Sequence, residues 1–262
     1  MWHLVIAKER TKKQGLVAEA LFKHFGPERS SLCFNDPPLG EPFIAAGQLW
    51  VVERIVPHAM KHNTRFWLID NGYYKTSGRG HGHDGHYEMT YKGLTPILMN
   101  EPDFTRFPYE QHVEPWRTQR GGHILLCLPG PTFGKVIGLD MERWMAEIKN
   151  RIRRFTKRPI LVRKKWSNTP LSQDLDRAHV VVTHSSNVAV DAVRYGVPAI
   201  VAPTNPAAPV CSTNLADMDK PWMPDRSHWW ASLMSQQYTA KEMSDGTAWK
   251  FMQRVMEQVD GA

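Results

Sequence analysis

Cysteine is scarce in this chain: Cys33, Cys127 and Cys211 are the only three among 262 residues, far apart and without Cys-x-x-Cys spacing. That pattern excludes a disulfide framework and a cysteine zinc site. No run of eighteen apolar residues occurs, so no segment reads as a membrane span. The opening Met1-Trp2-His3-Leu4-Val5-Ile6-Ala7 lacks the charged leader and cleavage site of a secretory signal. Internal repeats and low-complexity tracts are missing, as are the spacings of a helix-turn-helix or zinc-finger reader. The expectation from these absences is a soluble protein of a reducing cytoplasm with no membrane partner.

With 42% hydrophobic residues the chain can bury a substantial core, as one large domain or two of about 120 residues each. Basic residues exceed acidic ones by 33 to 26, a net charge of +7. The excess is concentrated in Lys149-Asn150-Arg151-Ile152-Arg153-Arg154, Lys157-Arg158 and Arg163-Lys164-Lys165. Such clusters suit a polyanion, because each neutralised phosphate releases condensed counterions. A solvated helix face with a few anion-binding residues would carry the same run.

Two stretches alternate strand and helix patterns around a poorly periodic middle, Tyr74 to Gly122, rich in Gly, His, Pro and aromatics. In the first, His3 to Ala7 reads as a strand. Lys12 to Phe25 reads as a helix stopped by Gly26-Pro27, Trp50 to His62 as a helix bent at Pro57, and Arg65 to Asp70 as a strand. In the second, strands at 123–128, 159–163, 179–183 and 198–202 alternate with helices at 140–155, 171–177 and 187–195. Short apolar strands separated by helices predict parallel sheets covered on both faces, with ligands at the carboxyl ends of the strands. A Trp-rich helix follows Ser227, and Thr239-Ala240-Lys241-Glu242 has capping-box spacing for a final helix to about Val259. Trp222, Trp229 and Trp230 are assigned to packing between lobes.

The strongest chemical signal is Val180-Val181-Val182-Thr183-His184-Ser185-Ser186-Asn187, where a buried strand delivers an imidazole and hydroxyls to a helix start. Free N–H groups there favour a phosphate, although Ser186 or Asn187 as a plain cap fits the same residues. Gly130, Thr132 and Lys135 in the loop after the 123–128 strand form a second phosphate candidate, and Arg163 a third. Asp70 ends an apolar strand before Asn71-Gly72 and is the candidate general base, with turn formation as the competing reading. Tyr73, Arg79, His81 and His83 combine aromatic faces and positive charge suited to an extruded or single-stranded base. The run from His81 to Glu88 also carries metal-type ligands, but a Gly-rich loop rarely fixes coordination geometry, so no metal is assigned.

From Val180 to Pro203 the sequence resembles the donor-binding motif of nucleotide-sugar glycosyltransferases of the GT-B fold. Asn187, Asp191 and Gly196-Val197-Pro198 match in spacing, while His184 lies one residue nearer Asn187 than in plant-type members and the intervening glycine is missing. The resemblance extends to short phage-encoded members through Asp70 to Tyr73 and through Pro224-Asp225-Arg226 and Gly246-Thr247-Ala248-Trp249. It implies an α/β protein of two Rossmann-like lobes with parallel sheets and a cleft between them. The implied divisions are an acceptor-side lobe at 1–115, a nucleotide-sugar lobe at 116–238, and a C-terminal helix at 239–262 crossing back to the first lobe. By the same resemblance His184, Ser185, Ser186 and Asn187 contact the donor diphosphate and Asp191 the ribose. The co-substrate is a nucleotide sugar of the UDP-sugar kind, with no bound prosthetic group.

The expected activity is sugar transfer to an acceptor hydroxyl, with a 5-hydroxymethylpyrimidine of phage-type DNA as the acceptor that charge and resemblance together favour. Three alternatives stay open: a carbohydrate or lipid-linked acceptor, a nucleotide-sugar epimerase, and a catalytically inactive DNA-binding module.

Overall fold

The computed structural model describes residues 1–6, 12–34, 36–38, 40–47, 51–75, 85–118, 121–130, 138, 140–165 and 167–261. In chain order the first elements are β1 (Trp2–Val5), α1 (Lys12–Phe25), β2 (Ser30–Cys33), β3 (Phe43–Ala46), α2 (Val56–Lys61), β4 (Phe66–Asn71) and β5 (Tyr87–Tyr91). Then follow α3 (Tyr109–His112), β6 (His123–Cys127), α4 (Met141–Ile152), β7 (Ile160–Arg163), α5 (Leu171–Asp176), β8 (Ala178–Thr183), α6 (Val188–Arg194) and β9 (Ala199–Val201). The chain closes with α7 (Ser227–Met234), β10 (Gln237–Tyr238), α8 (Ala240–Ser244) and α9 (Thr247–Asp260). Two compact units result, one built from Met1–Asp103 with Ser232–Ala262 and the other from Phe104–Ala231.

The first unit holds a six-stranded sheet in the order β10-β5-β4-β3-β1-β2. β1 pairs in parallel with β2 and β3, and β3 with β4, whereas β5 runs antiparallel to β4 and β10. Because side chains alternate across a strand, β1, β3 and β4 each feed two cores. Leu4, Ile44, Trp67 and Ile69 pack with Val17, Leu21 and Phe25 of α1 and with Met243, Phe251, Met252 and Val255 of α8 and α9. Their neighbours Val5, Phe43, Ala45, Phe66 and Leu68 point the other way, onto Val51, Ile55, Val56 and Ala59. Full burial of each large side chain contributes roughly 1.5–3 kcal/mol, so both faces are anchored.

Several local expectations change. Pro57 does not bend a helix: Val51–Ile55 is a π-helical turn, and Pro57 lies in the first turn of α2, where its missing N–H interrupts no bond. The expected final helix is two helices. Thr239 and Glu242 form the capping box of α8, then Gly246 takes a left-handed conformation with φ 88°, and Asp245 Oδ1 accepts the Thr247 N–H at 3.0 Å to open α9.

The second unit holds a four-stranded sheet in the order β7-β6-β8-β9, with every pair parallel. Ile124, Leu126, Val180, Val182 and Ile200 cover one face together with Ile148 and Ile152 of α4. Leu125 and Val181 are equally buried, at 0% exposure, and by strand alternation they supply the other face. Among the described residues no helix is long and apolar enough to cross a membrane. The protein is thus mixed α/β, with one sheet wholly and the other mostly parallel.

Candidate functional site

The strand order of the second unit marks out a candidate site. From β6 the chain crosses to β7 on one side, then returns past β6 to β8 on the other, so the direction of winding reverses between β6 and β8. Open α/β sheets bind ligands in the crevice outside the carboxyl ends of strands at such a reversal. Cys127 and Thr183 are partners in register, so Leu128-Pro129-Gly130 and His184-Ser185-Ser186 leave adjacent strands at the same edge. Arg163 ends β7 opposite Cys127 on the far side of β6. Thr132 and Lys135 lie outside the described residues.

The 183–187 loop is held by its own hydroxyl side chains, which accept backbone N–H groups. Thr183 Oγ1 accepts the Ser186 N–H at 3.3 Å, and Ser186 Oγ accepts the Val188 N–H at 3.3 Å. Ser186 therefore caps α6; Asn187 stands at the cap position with helical φ and ψ and makes no side-chain cap bond. The Ser185 hydroxyl is buried with no hydrogen-bond partner among the described residues. An unsatisfied buried hydroxyl costs about 1–3 kcal/mol, which a ligand oxygen could recover. His184 is half-buried, its ring edge-on to Trp144 with centroids 6.4 Å apart. Burial lowers its pKa below the ordinary imidazole value, favouring the neutral ring. Asp191, one turn into α6, is buried at 7% exposure.

Asn205 was not singled out by sequence reasoning, yet it pins this loop. It is buried, and its amide donates to the carbonyls of His184 at 3.3 Å and Ser186 at 3.4 Å while its oxygen accepts the Ala207 N–H at 2.9 Å. The Asn205-Pro206 pair was a legible turn signal; its spatial partner was not. The Lys165 side chain crosses Gly130, its Cδ 3.8 Å from where a Cβ would stand, an ordinary contact that leaves room for a side chain. Arg163 has a structural partner: its guanidinium pairs with Asp174 and donates to the Thr169 carbonyl at 2.9 Å.

Gly196 and Arg226 build the floor behind α6. Gly196 adopts φ +74°, and a Cβ there would meet the Pro115 carbonyl oxygen at 2.1 Å. That close approach lets the Glu114 N–H reach Arg194 O and the Arg117 N–H reach Gly196 O, each at 2.9 Å. Arg226 is buried at 2% exposure, donates to the carbonyls of Val193 and Glu114, and lies 3.8 Å from the centroid of the Trp116 ring. Trp229 and Trp230 are buried as expected of packing residues, their indole N–H groups bonded to Pro206 O at 2.9 Å and Phe107 O at 2.7 Å. Trp222 departs from that reading, at 50% exposure.

No protein-family model matches the chain, and no curated protein sequence matches it either.

The remaining candidates belong to the first unit. Asp70 is exposed near the end of β4, its Oδ1 accepting the Asn71 N–H at 2.7 Å. Its carboxylate rests on Gly47, where a Cβ would stand 2.8 Å from Asp70 Cγ. Glu88, buried on β5, is its cross-strand partner. Tyr73 is buried rather than displayed; burial, then the charge and hydrogen bond of Glu88, then the charge of Asp70, raise its phenol well above the usual tyrosine value. Arg79, His81 and His83 lie outside the described residues. Among the described residues no group of three or more His, Cys, Asp or Glu could hold a metal ion.

Proposed function

We propose that this chain is a glycosyltransferase that moves a sugar from a UDP-type nucleotide sugar to an acceptor hydroxyl. The observation that carries the reading is the convergence of the Gly130 loop and the His184 to Asn187 loop at the winding reversal of a parallel sheet, where a diphosphate is customarily bound. The buried, unsatisfied Ser185 hydroxyl supports it as a ready donor to a phosphate oxygen, and Asn205 supports it by fixing the loop in advance. In this reading His184, Ser185, Ser186 and Asn187 hold the diphosphate and Asp191 is assigned to the ribose. Asp70 takes the proton from the acceptor hydroxyl as its oxygen bonds to the anomeric carbon. The bond from that carbon to the diphosphate breaks, and the nucleoside diphosphate leaves with the electron pair. The two-lobe GT-B arrangement is part of the same proposal, as is a 5-hydroxymethylpyrimidine of DNA as acceptor, which the net charge of +7 favours.

The test incubates the protein with a panel of nucleotide sugars and with hydroxymethylated or unmodified DNA, followed by mass analysis of the released nucleosides. The expected product is a glycosylated hydroxymethylpyrimidine, lost in Asp70→Asn. Donor binding without transfer to any DNA would move the acceptor to a glycan or lipid; failure to bind any nucleotide sugar would overturn the reading.

A further inference from the structure

Residues 149–158 contain six basic side chains and no acidic one. In the structure they fall on the last turn of α4, the turn after it, and the approach to β7. Arg151, Arg153, Arg154 and Lys157 are exposed, and Phe155 shows 42% of its surface among them. Two of the six have protein partners, Arg153 donating to the Arg158 carbonyl at 2.5 Å and Arg158 lying 3.9 Å from Asp219. Among the described residues Lys149, Arg151, Arg154 and Lys157 have no carboxylate partner.

Parallel topology fixes where this surface stands. The chain must pass from α4 into β7 at the amino end of the strands, whereas Gly130 and His184 leave at the carboxyl end. The 12 residues of α4 put about 18 Å between the two ends. The cations therefore do not serve a phosphate at the carboxyl-end loops. A helix carboxyl end favours one or two cations by its dipole, but six in ten residues exceed that need and repel one another without a counter-charge.

We propose that this surface docks the phosphate backbone of double-stranded nucleic acid, as an anchor separate from the loops that face the candidate donor site. Unpaired guanidinium and ammonium groups spaced along a helix end and turn suit a regular row of phosphates, each contact releasing counterions. A membrane surface fits less well, since a single exposed ring offers too little apolar area to enter the headgroup region. The proposal requires no sugar transfer.

Fluorescence anisotropy of a labelled 20-base-pair duplex, at several salt concentrations and without nucleotide sugar, tests it. The variant R151E/R154E is compared with K241E/K250E, which changes the net charge equally at exposed lysines of the first unit. The expected result is at least a tenfold loss for R151E/R154E, a salt slope shallower by about 2, and near wild-type binding by K241E/K250E. Equal losses in the two variants, or none in either, overturn the proposal. Patch-dependent binding to vesicles containing anionic phospholipid that is tighter than binding to the duplex overturns it in favour of a membrane. Because no donor is present, these outcomes are separate from success or failure of the glycosyltransferase reading.

Discussion

Replacing Arg226 with methionine keeps much of the side-chain volume while removing a fork that holds together segments far apart in sequence. The guanidinium bonds to Val193 O at the end of α6 and to Glu114 O, and it stacks on Trp116. Each hydrogen bond to a charged group contributes about 1.5–3 kcal/mol, and a desolvated cation over an indole adds up to about 2 kcal/mol. Against this gross of roughly 3–8 kcal/mol stands the several kcal/mol needed to bury a cation, a penalty that already lowers the Arg226 pKa and that methionine escapes. The net expected loss is about 2–4 kcal/mol. Equilibrium unfolding in guanidinium, followed by tryptophan fluorescence, measures it, with the midpoint expected to fall by roughly 0.5–1 M. Arg226→Lys retains the charge but not the planar fork and should lose an intermediate amount. A loss under about 1 kcal/mol for Arg226→Met would refute the claim that these two carbonyls depend on it.

Gly196→Ala should cost at least about 3 kcal/mol, because the new Cβ meets a backbone oxygen and the left-handed conformation is strained for alanine; thermal unfolding shows it, and an unchanged midpoint would mean the 114–117 segment moves aside freely. For His184 the sign runs through its lowered pKa: a bound diphosphate favours the imidazolium, so the bound state has the higher pKa and donor affinity should rise as pH falls through it, levelling below the free-state value. Calorimetry in buffers of different ionisation enthalpy should detect proton uptake on UDP binding, absent in His184→Gln; equal uptake by both proteins would remove His184 from the site.

Legibility varied with how local the determinants are. The apolar runs at Ile124 to Leu128 and Val180 to Thr183 announced β6 and β8, since strands buried on both faces need little context. β2 and β3 passed unread because each has four residues, set among Gly and Pro, and is defined by its neighbours. β5 was hidden inside the aperiodic middle: Glu88 and Thr90 look like a solvent face, yet all five of its residues are buried. At the candidate site the phosphate-type residues were readable from 183–187, but the roles of Asn205 and Arg226 arise from partners up to 112 residues away. Arg163 shows the converse: a strand-end arginine that invited a ligand is engaged by Asp174, eleven residues downstream.

The split composition of the first unit has a consequence for how the protein is made. On a ribosome the chain emerges in order, so β1 to β5 are synthesised long before β10, α8 and α9, which supply Tyr238, Met243, Phe251, Met252 and Val255 to their core. Until those residues arrive, Trp67, Met89 and Tyr91 lack much of their apolar cover, while the intervening 104–231 segment already contains every strand of its own sheet. The inserted unit can thus mature first and the unit that begins the chain last. The early strands leave apolar surface uncovered during that interval, and a ribosome stalled before residue 232 leaves a nascent chain with one unit complete and the other lacking much of one core.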